Sequence, residues 1–170
     1  KIKLIEDCAH AIGSSRNNIY AGNFGDIACF SFYSTKNLTT GEGGMLICKK
    51  KKLYDKIKAY RSRGLNYNSK IEEYSELGTN SRMTEFQAIL GIHQLNRIQK
   101  ITNKRNEIAS NYNKLLFKNI KQKNIEQFYL KEKNSINAFW KYPVKIVKNI
   151  DRKKLKIEMN KHNIAIDWAY

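Results

Sequence analysis

The sequence predicts an α/β protein, and three observations carry that reading. Short apolar runs at residues 2–5, 27–33 and 45–48 have the length and composition of strands. Stretches with helical spacing lie at 53–62 and from Thr84 onward. Acidic, hydroxyl and lysine side chains stand where the apolar runs end, which is where open α/β sheets place their ligand contacts.

Taken in order, residues 2–5 read as a short buried strand with Glu6 and Asp7 at its exit. Residues 9–12 suit a helical turn closed by Gly13, and 14–24 a polar loop or hairpin. The run 27–33, aromatic and small apolar, is the strongest strand candidate; 34–44 connects it to the strand at 45–48. Helical spacing at 53–62 places Leu53, Ile57 and Tyr60 on one face. Residues 64–80 are polar and irregular, and a stretch of that length inside a compact domain is usually functional or disordered.

Thr84-Glu85-Phe86-Gln87 matches a capping box, with Thr84 as N-cap and Gln87 reaching back. The helix it opens carries Phe86, Ile89 and Leu90 on one side. It is expected to run on through Ile108, Tyr112 and Leu115, with a break near Thr102-Asn103. After Phe117 the composition changes. Residues 140–146 read as an edge strand, because Pro143 cannot donate to a ladder. Asp151 suits the cap of a helix through Met159, followed by a strand at 164–166. The expected organisation is a first domain over 1–116 and an incomplete, smaller α/β domain over 117–170. The chain starts without Met in a strand-like run and stops without a closing element, so it is read as a fragment of a longer protein.

Composition narrows the classes. The 170 residues, 41% hydrophobic, suffice for one packed domain or one and a part. No apolar run approaches the roughly 18 residues of a membrane-spanning helix, and no signal-peptide pattern is present. Cys8, Cys29 and Cys48 are odd in number, lack metal-ligand spacing and sit in apolar runs, which suits buried thiols in a reducing cytoplasm. The net charge of +17 raises a non-enzymatic nucleic-acid binder as an alternative. Basic residues are spread along the chain, however, and no dense arm is interleaved with aromatics as a single-strand binder needs. The charge is therefore read as a property of composition that would also favour an anionic small substrate.

Lys36 carries most of the chemistry. It lies between the aromatic run ending at Thr35 and the glycine-rich turn Gly41-Glu42-Gly43-Gly44. A lysine at the mouth of a strand in a largely apolar setting is a candidate Schiff-base lysine, although solvated lysines are far commoner in so basic a chain. Asp7 stands at a strand exit, where capping of a following turn is the commoner role. His10, three residues on, shares its face if the turn is helical. An Asp and a His at that spacing also suit part of a metal site, but no further ligand cluster supports one, and no metal is expected. Ser31 alternates with Phe30 and Phe32 and faces the opposite side from both. That side suits a phosphate near the lysine; a satisfied strand serine is the plainer reading.

Four ordered motifs then become recognisable. They are Glu-Asp-x-Ala-His-Ala-x-Gly (Glu6 to Gly13), Gly-Asp-x-x-x-Phe-Ser-Phe (Gly25 to Phe32), Thr-Lys-Asn-x-Thr-Thr-Gly-Glu-Gly-Gly (Thr35 to Gly44) and Gly-x-Asn-x-Arg-Met-Thr-Glu-x-Gln-Ala (Gly78 to Ala88). Together they resemble the pyridoxal-phosphate-dependent nucleotide-sugar aminotransferases of the DegT/DnrJ/EryC1/StrS family, in order from about residue 1 to 116 and more weakly over 140–146.

The resemblance implies the second half of a type I aminotransferase large domain followed by the start of its small C-terminal domain. It implies pyridoxal 5'-phosphate as cofactor, with Lys36 matching the lysine of the internal aldimine. Asp7 matches the carboxylate that pairs with the pyridine nitrogen, and His10 the His or Gln beside the ring. Ser31 matches a phosphate-binding hydroxyl. Asn80 matches an asparagine that reaches the neighbouring subunit's site, which implies a homodimer. The implied substrates are glutamate and a nucleotide-linked keto-sugar, with no nucleic-acid or membrane partner.

The family often shows Arg-x-His-Gly where this chain has Arg61-Ser62-Arg63-Gly64, on the substrate side. Relatives that replace the lysine with His act as dehydratases, and Lys36 argues against that branch. A regulator of the same fold without transaminase activity stays open as a further alternative.

Overall fold

A computed structural model describes residues 2–119, 124–129, 132–147 and 149–167. The chain falls into two compact units, the first from the described parts of 1–109 and 131–141, the second from the described parts of 110–130 and 142–170.

The first unit is built on a three-stranded sheet of β1 (Ile5–Asp7), β4 (Ile27–Ser31) and β5 (Gly44–Cys48) in the order β1-β4-β5. β1 runs parallel to β4, with Asp7 beside Cys29; β5 runs antiparallel to β4, with Gly44 beside Ser31. Between β1 and β4 lies the hairpin of β2 (Ser15–Arg16) and β3 (Ile19–Tyr20). A late strand, β7 (Ser135–Ile136), pairs with β2. Helix α1 (Lys51–Arg61) follows β5. Helix α2 (Glu85–Leu95) opens on the capping box expected from the sequence, with both reciprocal bonds between Thr84 and Gln87 present. Helix α3 (Ile98–Asn113) continues from it.

The helix break falls at Asn96–Arg97 rather than at Thr102-Asn103. Thr102 is instead buried inside α3, against Gly13. Gly13 has φ +87°, and a side chain there would collide with the Thr102 hydroxyl. Burial against a bare glycine thus overrides the weak helix propensity of threonine.

The buried apolar residues of this unit are mostly small: Cys8, Ala28, Ala59, Ala109 and Ala138, with Phe32, Leu38 and Phe139. The first run, expected to be buried, is exposed in this chain at Leu4 and Ile5, and its strand begins only at Ile5. The α2 face expected to be apolar is also exposed, with Phe86 at 88%.

In the second unit, a π-helical turn (Lys114–Asn119) is followed by β6 (Ile125–Gln127), which pairs antiparallel with β8 (Val144–Ile146). Pro143 directly precedes β8, as its missing N–H requires, and the pairing does not extend back to Trp140. Asp151 caps α4 (Arg152–Lys161), accepting from the N–H groups of Lys153 and Lys154 at 2.9 and 3.1 Å. The strand expected at 164–166 does not form. Asn163 turns left-handed at φ 57°, and the Ile164 N–H returns to the Met159 carbonyl at 3.0 Å, so the chain closes the helix instead.

Candidate active site

Because β1 and β4 are parallel, their C-terminal ends open at one edge of the sheet. Asp7 is the last residue of β1, and Ser31 the last of β4. The Cys8 N–H extends the ladder to the Cys29 carbonyl at 2.8 Å, which fixes the point where the two strands part. One Asp7 oxygen accepts from the Ala9 N–H at 3.0 Å, so Asp7 does close the turn that follows it, over residues 9–13. Ser31 is half-buried, and its hydroxyl accepts weakly from the Tyr33 N–H at 3.4 Å.

The loop carrying Lys36 is polar, yet Asn37, Leu38 and Thr40 are buried within it. Its backbone closes on itself: Phe32 donates to Gly43 (2.8 Å), Lys36 to Tyr33 (3.0 Å) and Thr40 to Phe32 (2.9 Å). Side chains from elsewhere then clamp it. The Gln94 amide on α2 accepts from the Thr39 N–H at 3.1 Å and donates to the Thr39 carbonyl at 2.8 Å. Gln87 donates to the Glu42 carbonyl at 2.8 Å. From far along the chain, the Trp140 indole N–H donates to the Thr35 carbonyl at 2.8 Å. Lys36 is half-buried, with its Nζ 4.5 Å from the centre of the Trp140 ring.

His10 stacks on the same indole, ring centres 3.7 Å apart and planes 15° from parallel. Desolvation of the ring leads in holding its imidazole below the ordinary 6.5, the positive charges of Lys36 and Lys141 add to it, and the Asp7 carboxylate pulls the other way. Asp7, His10 and Lys36 therefore share one electrostatic neighbourhood at the open edge of the sheet.

Glu6, one residue before Asp7, faces the other way. Its carboxylate accepts from the N–H groups of Gly22 (2.8 Å), Phe24 (2.8 Å) and Gly25 (2.6 Å). Burial alone would raise its pKa, but these three donors and the Lys49 charge outweigh burial and hold it below the usual 4.5.

Asn80 does not meet the other predicted residues. It is exposed, it forms a β-bridge with Ser62, and its side-chain oxygen accepts from Arg82 Nε at 3.1 Å. Sequence reasoning missed Trp140, Gln94 and the structural work of Glu6. Trp140 and Gln94 lie 105 and 55 residues from their partners, and no local pattern marks such pairs. Glu6 stood inside a quoted motif, and its signal was there to be used.

Comparison with known proteins supplies the context. The chain is 35% identical to a GDP-perosamine synthase of Escherichia coli O157:H7 over 81% of its length and 36% of that protein. It is 39% identical to a UDP-4-amino-4,6-dideoxy-N-acetyl-beta-L-altrosamine transaminase of Campylobacter jejuni over 69% of its length and 32% of that protein. Its fold superposes on the X-ray structure of an aminotransferase from Psychrobacter cryohalolentis with a TM-score of 0.82 at 30% identity, covering 95% of this chain and 46% of that one. The chain thus spans less than half the length of each of these relatives. With residues 1–170 matching throughout, the chain belongs to the DegT/DnrJ/EryC1/StrS aminotransferase family.

Proposed function

We propose that the whole protein is a pyridoxal-phosphate-dependent aminotransferase that moves an amino group, taken from glutamate, onto a nucleotide-linked keto-sugar for polysaccharide biosynthesis in the cytoplasm. The observation that carries this reading is the convergence of Asp7, His10 and Lys36 at the C-terminal edge of two parallel strands, in a chain of this family. On this reading residues 1–116 are the second part of the cofactor-binding domain, and 117–170 begin the smaller one.

The donor set suits the cofactor. Lys36 offers an amine to an aldehyde, Asp7 a carboxylate to a protonated ring nitrogen, and Ser31 a hydroxyl to a phosphate. Pyridoxal phosphate, when bound, supplies an electron sink for the carbon that loses its proton. The chain's own tasks are then to hold and to move protons. Asp7 would hold the ring nitrogen through its carboxylate. Lys36 would carry a proton between the two reacting carbons. His10, whose pKa desolvation and the Lys36 charge lower, would flank the ring. Asn80, exposed and bridged to Ser62, would serve the site of a second copy. The exposed apolar residues of α2, Phe86, Ile89 and Ile92, suit burial in such a homodimer.

The test uses full-length protein and pyridoxal phosphate. Absorbance near the visible edge should appear, and borohydride should fix the cofactor to the peptide containing Lys36. Lys36→Ala should lose both signals. A variant that still traps cofactor like the wild type would end this reading. A panel of keto-sugar nucleotides with glutamate then separates a transaminase from a same-fold regulator.

A further inference from the structure

Residues 137–140 lie across the Lys36 loop as a strap, and their bonds to it fall on the residues on either side of the lysine. Trp140 Nε1–H donates to the Thr35 carbonyl at 2.8 Å, and Asn37 Nδ2 donates to the Ala138 carbonyl at 2.7 Å. Behind the strap, Arg105 Nη1 donates to the carbonyls of Phe139 and Trp140 at 2.8 and 3.3 Å. Asn106 Nδ2 donates to the Asn137 carbonyl at 2.8 Å, and the Ser14 hydroxyl accepts from the Ala138 N–H at 2.9 Å. Ala138 and Phe139 are buried. A segment held at this many points gives the indole a fixed place. The ring carries His10 at 3.7 Å, with Lys36 Nζ at 4.5 Å and Lys141 Nζ at 4.6 Å from its centre. An aromatic face attracts an ammonium group through its quadrupole, and a tryptophan does so most strongly.

We propose that Trp140 is a positioning residue for Lys36: its face holds the amine, and its N–H ties the strap to the loop that carries the lysine. A half-buried lysine on a four-carbon stem otherwise samples many rotamers, and an amine about 1 Å out of place loses up to about a hundredfold in rate. The consequence for cofactor capture rests on the reading of Lys36 given above; the contact itself does not.

The experiment has two readouts on full-length protein. Lysines are reductively methylated with carbon-13 formaldehyde, and the Lys36 signal is assigned with Lys36→Arg. Separately, borohydride trapping of pyridoxal phosphate at Lys36 is followed over a pH series. In the wild type the Lys36 methyl signal should lie upfield, in the ring current of the indole. Trp140→Leu, which keeps apolar bulk without a ring, should return that signal to the position of free lysines. It should also slow trapping about tenfold with a displaced pH profile. Trp140→Phe should restore most of the shift and part of the rate.

A wild-type Lys36 signal already at the free position overturns the proposal, as does wild-type trapping in Trp140→Leu. Should Trp140→Leu not fold, Trp140→Phe decides, because loss of the tie to Thr35 must still slow trapping, and an unchanged profile refutes the idea. If the wild type never traps cofactor at Lys36 while Trp140→Leu abolishes the shift, the cofactor reading has failed and the positioning contact stands.

Discussion

Residues 33–44 and residues 64–80 are two polar connections in the same unit, and they are held in opposite ways. The first, around Lys36, has buried members and is clamped by side chains from α2 and from the strap at 137–140. The second, ending at Asn80, is fixed by backbone bonds to its own surroundings, such as Arg63 to Thr79 (2.8 Å), Thr79 to Tyr60 (2.7 Å) and Asn66 to Glu73 (2.8 Å). Every residue from 71 to 80 is exposed, including Leu77 at 91%. On the proposed function, the chemistry that needs a fixed amine sits on the first. The second leaves residues 71–80 exposed.

That contrast can be broken by removing anchors, beginning with the strongest. Glu6 gathers three N–H groups at the turn leading into β4, and bonds to a charged acceptor are the strong ones. Glu6→Ala should cost about 3 kcal/mol in urea unfolding, because three donors lose their acceptor at once. Glu6→Gln adds the sign of the pH effect. The folded pKa is depressed, so the stabilisation is present above the ordinary carboxylate value of 4.5 and is lost as pH falls through the folded value. The wild type and Glu6→Gln should converge in stability at acid pH; parallel curves would show that the carboxylate charge is irrelevant.

Gln94→Ala comes next. It leaves the Thr39 N–H and carbonyl without their partner in a half-buried place, for about 1–2 kcal/mol. Trapping of pyridoxal phosphate at Lys36 should slow with it. If unfolding changes and trapping does not, the clamp serves the fold alone.

How much of this was legible beforehand follows from the range of each interaction. The capping box at Thr84 and the Asp151 cap are written in neighbouring residues and formed as read, and the strands read at 27–33 and 45–48 formed at Ile27–Ser31 and Gly44–Cys48. The motif around Lys36 identified the family, yet gave no sign of what holds the loop. Gln94 and Trp140 reach it over 55 and 105 residues, and their own neighbours carry no matching pattern. Thr102 misled because propensity is local, while its burial depends on the absence of a side chain at Gly13. The strand expected at 164–166 failed for a local reason, since Asn163 takes the left-handed turn that ends α4.

His10 offers a smaller effect. Its folded pKa lies below 6.5, so the neutral ring is the form the fold prefers. Stability should decline as pH falls through and below that value, by under about 1 kcal/mol for so accessible a ring. The C2 proton of His10, assigned among three histidines with His10→Gln, should titrate below 6.5. Trp140→Leu should move it back toward 6.5; a titration that ignores the indole would remove the stack as the cause of the shift.

Asn80 should show the least effect on stability and the most telling one on assembly. Its contacts are an exposed bond to Arg82 and a backbone bridge that Ala would keep, so Asn80→Ala should change unfolding by less than about 0.5 kcal/mol. If Asn80 serves a neighbouring site, the variant should still trap cofactor poorly as an assembled protein. Mixing decides between the two sides of the interface. An Asn80→Ala subunit paired with a Lys36→Ala subunit contains one site with both its own lysine and a partner's asparagine. Co-refolded mixtures should therefore recover trapping that neither variant shows alone. A mixture no better than its parts would place Asn80 in the site of its own chain, and the exposure of residues 71–80 would need another cause.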